Sequence, residues 1–242
     1  MFRRSAILAA LVVATFLGAC SIGDDLSGSG DIESKEYGAD GVTRIVLAAP
    51  GDLRIVRGDA EKLVVETDDN VMEHVEVDVR GNTLEIHLDR GTWDQIRPTR
   101  LDLELEIPAL ESIAVEGSGS VEAGDLEMGD LELTVSGSGT ISDDNVDCES
   151  LRVGISGSGM VRLAGTCSDQ EIDVSGSGSF EAFDLEVDSA SVRMSGSGKA
   201  AVWVKDELDA NVSGSGSIEY YGKPMVDSST SGSGEVRSKG EK

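Results

Sequence analysis

Leu133-Thr134-Val135-Ser136-Gly137-Ser138-Gly139-Thr140-Ile141 is the stretch that decides the fold, because its pattern returns throughout the second half of the chain. Between residues 117 and 234 the tripeptide Gly-Ser-Gly begins at Gly117, Gly137, Gly157, Gly176, Gly196, Gly214 and Gly232, at intervals of 18 to 20 residues. The second glycines of these copies are Gly119, Gly139, Gly159, Gly178, Gly198, Gly216 and Gly234. Each copy follows an apolar–any–apolar segment and precedes a second alternating one. Val153-Gly154-Ile155 leads to Val161-Arg162-Leu163, and Ile172-Asp173-Val174 leads to Phe180-Glu181-Ala182. Only the first copy departs slightly, with Glu116 in place of the leading serine.

Alternation with period two means half-buried strands, since successive side chains point to opposite faces. A unit this short cannot bury its apolar face alone, but stacked on similar neighbours it can. A flexible Gly/Ser linker would not hold apolar residues at fixed offsets from each copy. A propeller blade needs ~40 residues, twice the observed repeat. Glycine lacks Cβ and so permits a sharp corner at every rung. The expected fold is therefore all-β, a parallel β-helix (solenoid) over residues 111–238, with seven rungs spanning ~34 Å. Positive φ is expected at the second glycine of each corner, as at Gly178.

Residues 37–110 are rich in strands but lack the repeat. Val75, Val77 and Val79 alternate on one side of Gly81-Asn82, and Leu84, Ile86 and Leu88 on the other, which predicts a tight hairpin. Leu101, Leu103, Leu105 and Ile107 form the longest alternating strand and stop at Pro108. This part is expected to cap one end of the solenoid. The polar tail 239–242 suits the other end, where an open edge must not recruit another chain.

Residues 1–19 read as a signal peptide: Arg3 and Arg4 precede the apolar run from Ala6 to Leu17. The run is shorter than the roughly 20 apolar residues of a membrane-spanning helix. It ends in Leu17-Gly18-Ala19-Cys20, which resembles a bacterial lipobox and makes Cys20 the lipidation candidate. Two or three acyl chains anchor stably where one does not. Ser21 after the cysteine points to an outer-membrane lipoprotein. Residues 20–36, with Ser27-Gly28-Ser29-Gly30, read as a lipid-anchored flexible tether.

The 242 residues hold 20 Lys and Arg against 46 Asp and Glu, for a net charge of -26. No basic face exists to displace counterions from phosphates, so nucleic acid is not an expected partner. The membrane is expected as a partner through the lipid anchor alone.

The Ser-Gly-Ser-Gly copies, the upstream strands and Tyr220-Tyr221-Gly222-Lys223-Pro224 together resemble the bacterial auto-transporter adhesin family with the head GIN domain, over about residues 31–238. The resemblance implies a right-handed β-helix shaped like pectin lyases. It also implies display on the cell envelope, often as a lipoprotein, and an adhesive role.

Among candidate sites, the hairpin at Gly81-Asn82 sets Glu76 opposite His87 and His74 opposite Asp89, read as cross-strand pairs on a solvated face and not as a metal site. Asp143-Asp144-Asn145 reads as solvated acidic surface, because the Gly-rich turns lack the aspartates of calcium-binding β-rolls. Arg57-Gly58-Asp59 reads as a turn. The serines of the corners have no His or Lys partner at a fixed offset, so they read as stacked hydroxyls and not as nucleophiles. No catalytic residue and no cofactor is expected. Trp203, Tyr220 and Tyr221 fall on consecutive late rungs and form a candidate binding surface for a glycan or an envelope protein. Cys148 and Cys167 each lie nine residues before the next Gly-Ser-Gly, which stacks them on adjacent rungs as a disulfide candidate. The sequence thus points to a non-enzymatic, lipid-anchored envelope protein presenting a β-helix surface for adhesion or recognition. The alternative is a structural or sensing component that binds another envelope protein, with a polysaccharide-active enzyme behind both.

Overall fold

A computed structural model describes residues 26–89, 96–124 and 129–242; the expected signal peptide and Cys20 lie outside them. The described chain is a stack of parallel strands with one four-residue helical turn, Asp69–Met72. Each rung of the repeat has one strand before the Ser-Gly-Ser-Gly corner and one after it. Both stack in register on the neighbouring rungs. Before the corner, Ile113 aligns with Leu133, Leu133 with Val153, Val153 with Ile172, Ile172 with Val192 and Val192 with Ala210. After it, Val121 aligns with Ile141, Ile141 with Val161, Val161 with Phe180 and Phe180 with Ala200. These columns are buried and fill the interior. The solenoid expected from the repeat is the one observed.

The corner works differently from expectation. Left-handed φ belongs to the first glycine of each copy, from +111° at Gly117 and Gly176 to +123° at Gly137 and Gly196, and not to the second. Its carbonyl accepts the amide of the middle serine one rung on: Ser158 donates to Gly137 and Ser177 to Gly157, both at 2.8 Å. The second glycine is required by space. A Cβ on Gly178 would run into the Ile155 side chain and stand 3.0 Å from the Gly159 carbonyl. The second glycine's carbonyl continues the ladder, accepting at Gly159 from Ser179 at 2.9 Å. The corner is thus tied by backbone amides and not by the stack of serine hydroxyls that the sequence suggested.

The N-terminal part is a cap, as expected, but it also supplies rungs. Arg44–Ala48 and Asp52–Arg57 stack directly beneath Ser112–Gly117 and Ser120–Gly124. Their corner is Ala49-Pro50-Gly51, and the Gly51 carbonyl accepts from Ser120 at 2.9 Å. Thr83–Leu88 and Leu101–Ile107 form the layer below that. The layer built later in the chain therefore lies outside the one built earlier. Antiparallel strands close this end: Lys62–Asp68 pairs with Leu101–Ile107, and Val75–Arg80 with Thr83–Leu88 through the predicted hairpin.

The reading of residues 20–36 as a flexible tether is corrected from Leu26 onward. Leu26–Ser27 pairs with Ile96–Arg97, and Ile32–Gly38 pairs antiparallel with Lys62–Asp68. Asp68 fixes the segment between them. Its buried carboxylate accepts the Gly30 amide at 2.8 Å, the Thr99 amide at 2.8 Å and the Thr99 hydroxyl at 2.7 Å. The Thr99 hydroxyl first, then the amides of Gly30, Thr99 and Arg100, hold this carboxyl below its ordinary value. Gly28 packs so closely on the same carboxylate that no side chain fits there.

At the opposite end the inward column runs out in hydroxyls. Ser228 and Thr230 align with Ala210 and Val212 and are exposed. The tail 239–242 lies along this rung, with the Lys239 amide on the Tyr220 carbonyl at 2.8 Å and the Gly222 amide on the Gly240 carbonyl at 3.0 Å.

Candidate functional site

The outward faces of the rungs carry the charges, and several cations pair with acids on adjacent rungs. Glu171 lies between Arg193 at 2.8 Å and Arg152 at 3.3 Å, and Arg193 foremost, then Arg152, holds its carboxyl below the ordinary value. Arg162 pairs with Glu181 at 2.8 Å, and Lys205 with Asp188 at 2.8 Å. A groove of about 690 Å³ runs across Asp52, Arg54, Glu66, Arg100, Asp102 and Glu104. Arg100 already holds Glu66 at 3.0 Å and contacts Asp102. With two arginines, Arg54 and Arg100, against the acids Asp52, Glu66, Asp102, Glu104 and Glu122, the groove keeps a net negative charge.

The late rungs carry a different surface. Phe183, Trp203 and Tyr221 each stand seven residues past the first glycine of their corner. Trp203 aligns with Tyr221 in the parallel register, between the buried neighbours Val202 and Val204, so both rings face outward. Phe183 is 41% exposed on the rung before. The Lys242 ammonium sits over two of the rings, 4.8 Å from the centre of Trp203 and 5.6 Å from that of Phe183. It also contacts the Phe183 carbonyl and the Asp184 carboxylate.

Of the three aromatics singled out in the sequence, Trp203 and Tyr221 come together on this surface. Tyr220 does not; it follows Val202 in register and packs against the core. Phe183 and Lys242 were missed. The common offset of seven residues does not place Phe183, because the ladder shifts there and pairs Trp203 with Glu186. Nothing in the sequence ties Lys242 to it, because that contact joins residues 59 apart.

Cys148 and Cys167 are in direct register, with sulfurs 2.8 Å apart, both buried and both free thiols. The hydrogen bond to Cys167, then burial, pushes the Cys148 thiol up. His87 bonds Glu76 at 2.7 Å as the hairpin register requires, but its ring is buried and not solvated. Asp143 is buried too and accepts the Asn145 amide at 2.9 Å, so it belongs to a bulge in its strand and not to open acidic surface. Among the described residues no three His, Cys, Asp or Glu side chains converge as a metal site, and no helix is long and apolar enough to cross a membrane.

The family model described as "putative auto-transporter adhesin, head GIN domain" matches residues 41–224. The chain belongs to this family. No curated protein matches it. A solved adhesin-family structure from Bacteroides fragilis is similar at 25% identity and a TM-score of 0.82, over 88% of this chain and 99% of the other. A Parabacteroides distasonis structure described as a "putative lipid binding protein" is similar at 26% identity and a TM-score of 0.72, over 88% of this chain and 98% of the other. A Parabacteroides merdae structure at 22% identity and a TM-score of 0.69, over 89% of this chain and 99% of the other, shares the fold.

Proposed function

We propose that this chain is a non-enzymatic, lipid-anchored cell-envelope protein whose solenoid presents a rigid surface for adhesion or recognition. The observation that carries the reading is the outward pair Trp203 and Tyr221, in register on adjacent rungs, with the exposed Phe183 beside them on the rung before, on a scaffold whose inward positions are closed with apolar side chains. Aromatic rings provide large contact area at little entropic cost and are enriched at binding surfaces. Membership of the adhesin family supports the same role. Anchoring rests on Cys20 and its lipobox, and Ser21 favours the outer membrane. The partner is a glycan or another envelope protein. Capture from intact envelopes with the purified chain is the test. A partner retained by the native chain and released by Trp203→Leu supports the reading; no partner in either case refutes it. For the anchor, Cys20→Ser should leave the membrane fraction, and a variant that survives a carbonate wash in that fraction would refute lipidation.

A further inference from the structure

Lys242 occupies its place with every feature an ammonium group seeks. Two ring faces lie within the ~6 Å over which an aromatic quadrupole attracts a cation. A carboxylate, Asp184, and a carbonyl, that of Phe183, accept hydrogen bonds from it. Lys205 answers the neighbouring acids, at 3.5 Å from Glu186 and 2.8 Å from Asp188, so Asp184 is the acid paired with Lys242. The Lys242 side chain keeps 30% of its surface exposed, so it is seated but replaceable. The net charge of -26 draws cationic partners toward the surface as a whole.

We propose that the Phe183 and Trp203 rings, with Asp184 beside them, bind a lysine side chain of a partner protein, and that Lys242 fills the same position in the free chain. The inference rests on the recognition role proposed above and names its chemistry. A neutral sugar ring would use the same ring faces but would leave the charge of Asp184 unanswered. In the free chain Lys242 competes with the incoming lysine, so the site is latched by its own tail. A partner must displace one ammonium to insert another.

The probe is Nα-acetyl-lysine methylamide, with the norleucine analogue as its uncharged control. Trp203 fluorescence is followed in a Trp93→Phe background, since these are the two tryptophans of the chain. Removing the internal competitor with Lys242→Gln should tighten binding about two- to fivefold, the range a surface cation–π contact supports. Asp184→Asn should weaken it by a similar factor, and the norleucine amide should not bind. Thermal melts confirm that each variant is folded, and Asp184→Asn keeps the test independent of any packing loss at Trp203. Equal response to both amides, or no change on Lys242→Gln, overturns the proposal. Binding to phosphatidylethanolamine vesicles without binding to the lysine amide also overturns it, by assigning the site to a lipid. Envelope capture that persists in Asp184→Asn and is lost in Trp203→Leu, with no response to the lysine amide, overturns this inference and leaves the recognition role standing.

Discussion

The two halves of the solenoid build the same rung by different means. From Gly117 to Gly234 one backbone device is repeated: a left-handed first glycine, a spaceless second glycine and amide-to-carbonyl bonds between successive corners. From Leu26 to Leu110 each layer is made once, with an antiparallel lid and side-chain ties such as Asp68. Repetition makes each rung depend on its neighbours through identical contacts, whereas the cap depends on individual residues. A fault in the repeat therefore propagates, and a fault in the cap stays local.

The contrast breaks most sharply at a corner. Gly176 has φ +111°, and a Cβ there would stand 2.6 Å from the Gly157 carbonyl. Strain and clash together should make Gly176→Val cost about 4 kcal/mol in urea unfolding. Gly41 has φ +67° with open space around it, so Gly41→Ala in the cap should cost only about 1 kcal/mol. Equal losses at the two sites would erase the distinction between stacked corner and single turn.

The cysteine pair asks whether two rungs can be fastened together. Cys148 and Cys167 are 19 residues apart, and a bond between them is expected under oxidising conditions to add roughly 3 kcal/mol. Non-reducing mass spectrometry after alkylation decides it: two alkylated thiols would leave the rungs unbridged. Gly178→Ala separates the two corner glycines. With ordinary φ but a clash with the Ile155 side chain and a 3.0 Å approach to the Gly159 carbonyl, it should cost about 1–3 kcal/mol, less than any side chain at Gly176.

The smallest expected effect is confined to the cap. The Asp68 carboxyl is held below its ordinary value, so its contribution is complete above the unfolded value near ~4 and is lost as pH falls through the folded one. As pH falls below ~4 and through the folded value, the protection of the Gly30 amide relative to its intrinsic exchange should drop while that of the central-rung amides does not. Asp68→Asn should remove that pH dependence. Uniform loss of protection along the rod would show that cap and repeat melt as one unit.

Sequence alone determined the solenoid, its axis-to-axis stacking of Cys148 on Cys167, and the hairpin at Gly81-Asn82. These follow from periodicity, because parallel in-register stacking turns equal offsets along the chain into neighbours in space. The common offset of Trp203 and Tyr221 belongs to the same class, whereas at Phe183 the ladder shifts and Trp203 pairs with Glu186. Tertiary structure decided the rest. Which corner glycine takes left-handed φ depends on where the carbonyl must point to reach the next rung. The order of the N-terminal layers, the pairing of Ile32–Gly38 with Lys62–Asp68 and the seat of Lys242 on Trp203 join segments whose separation obeys no repeat. A one-residue pattern records which face a side chain takes, but a contact made once leaves no period in the sequence to reveal it.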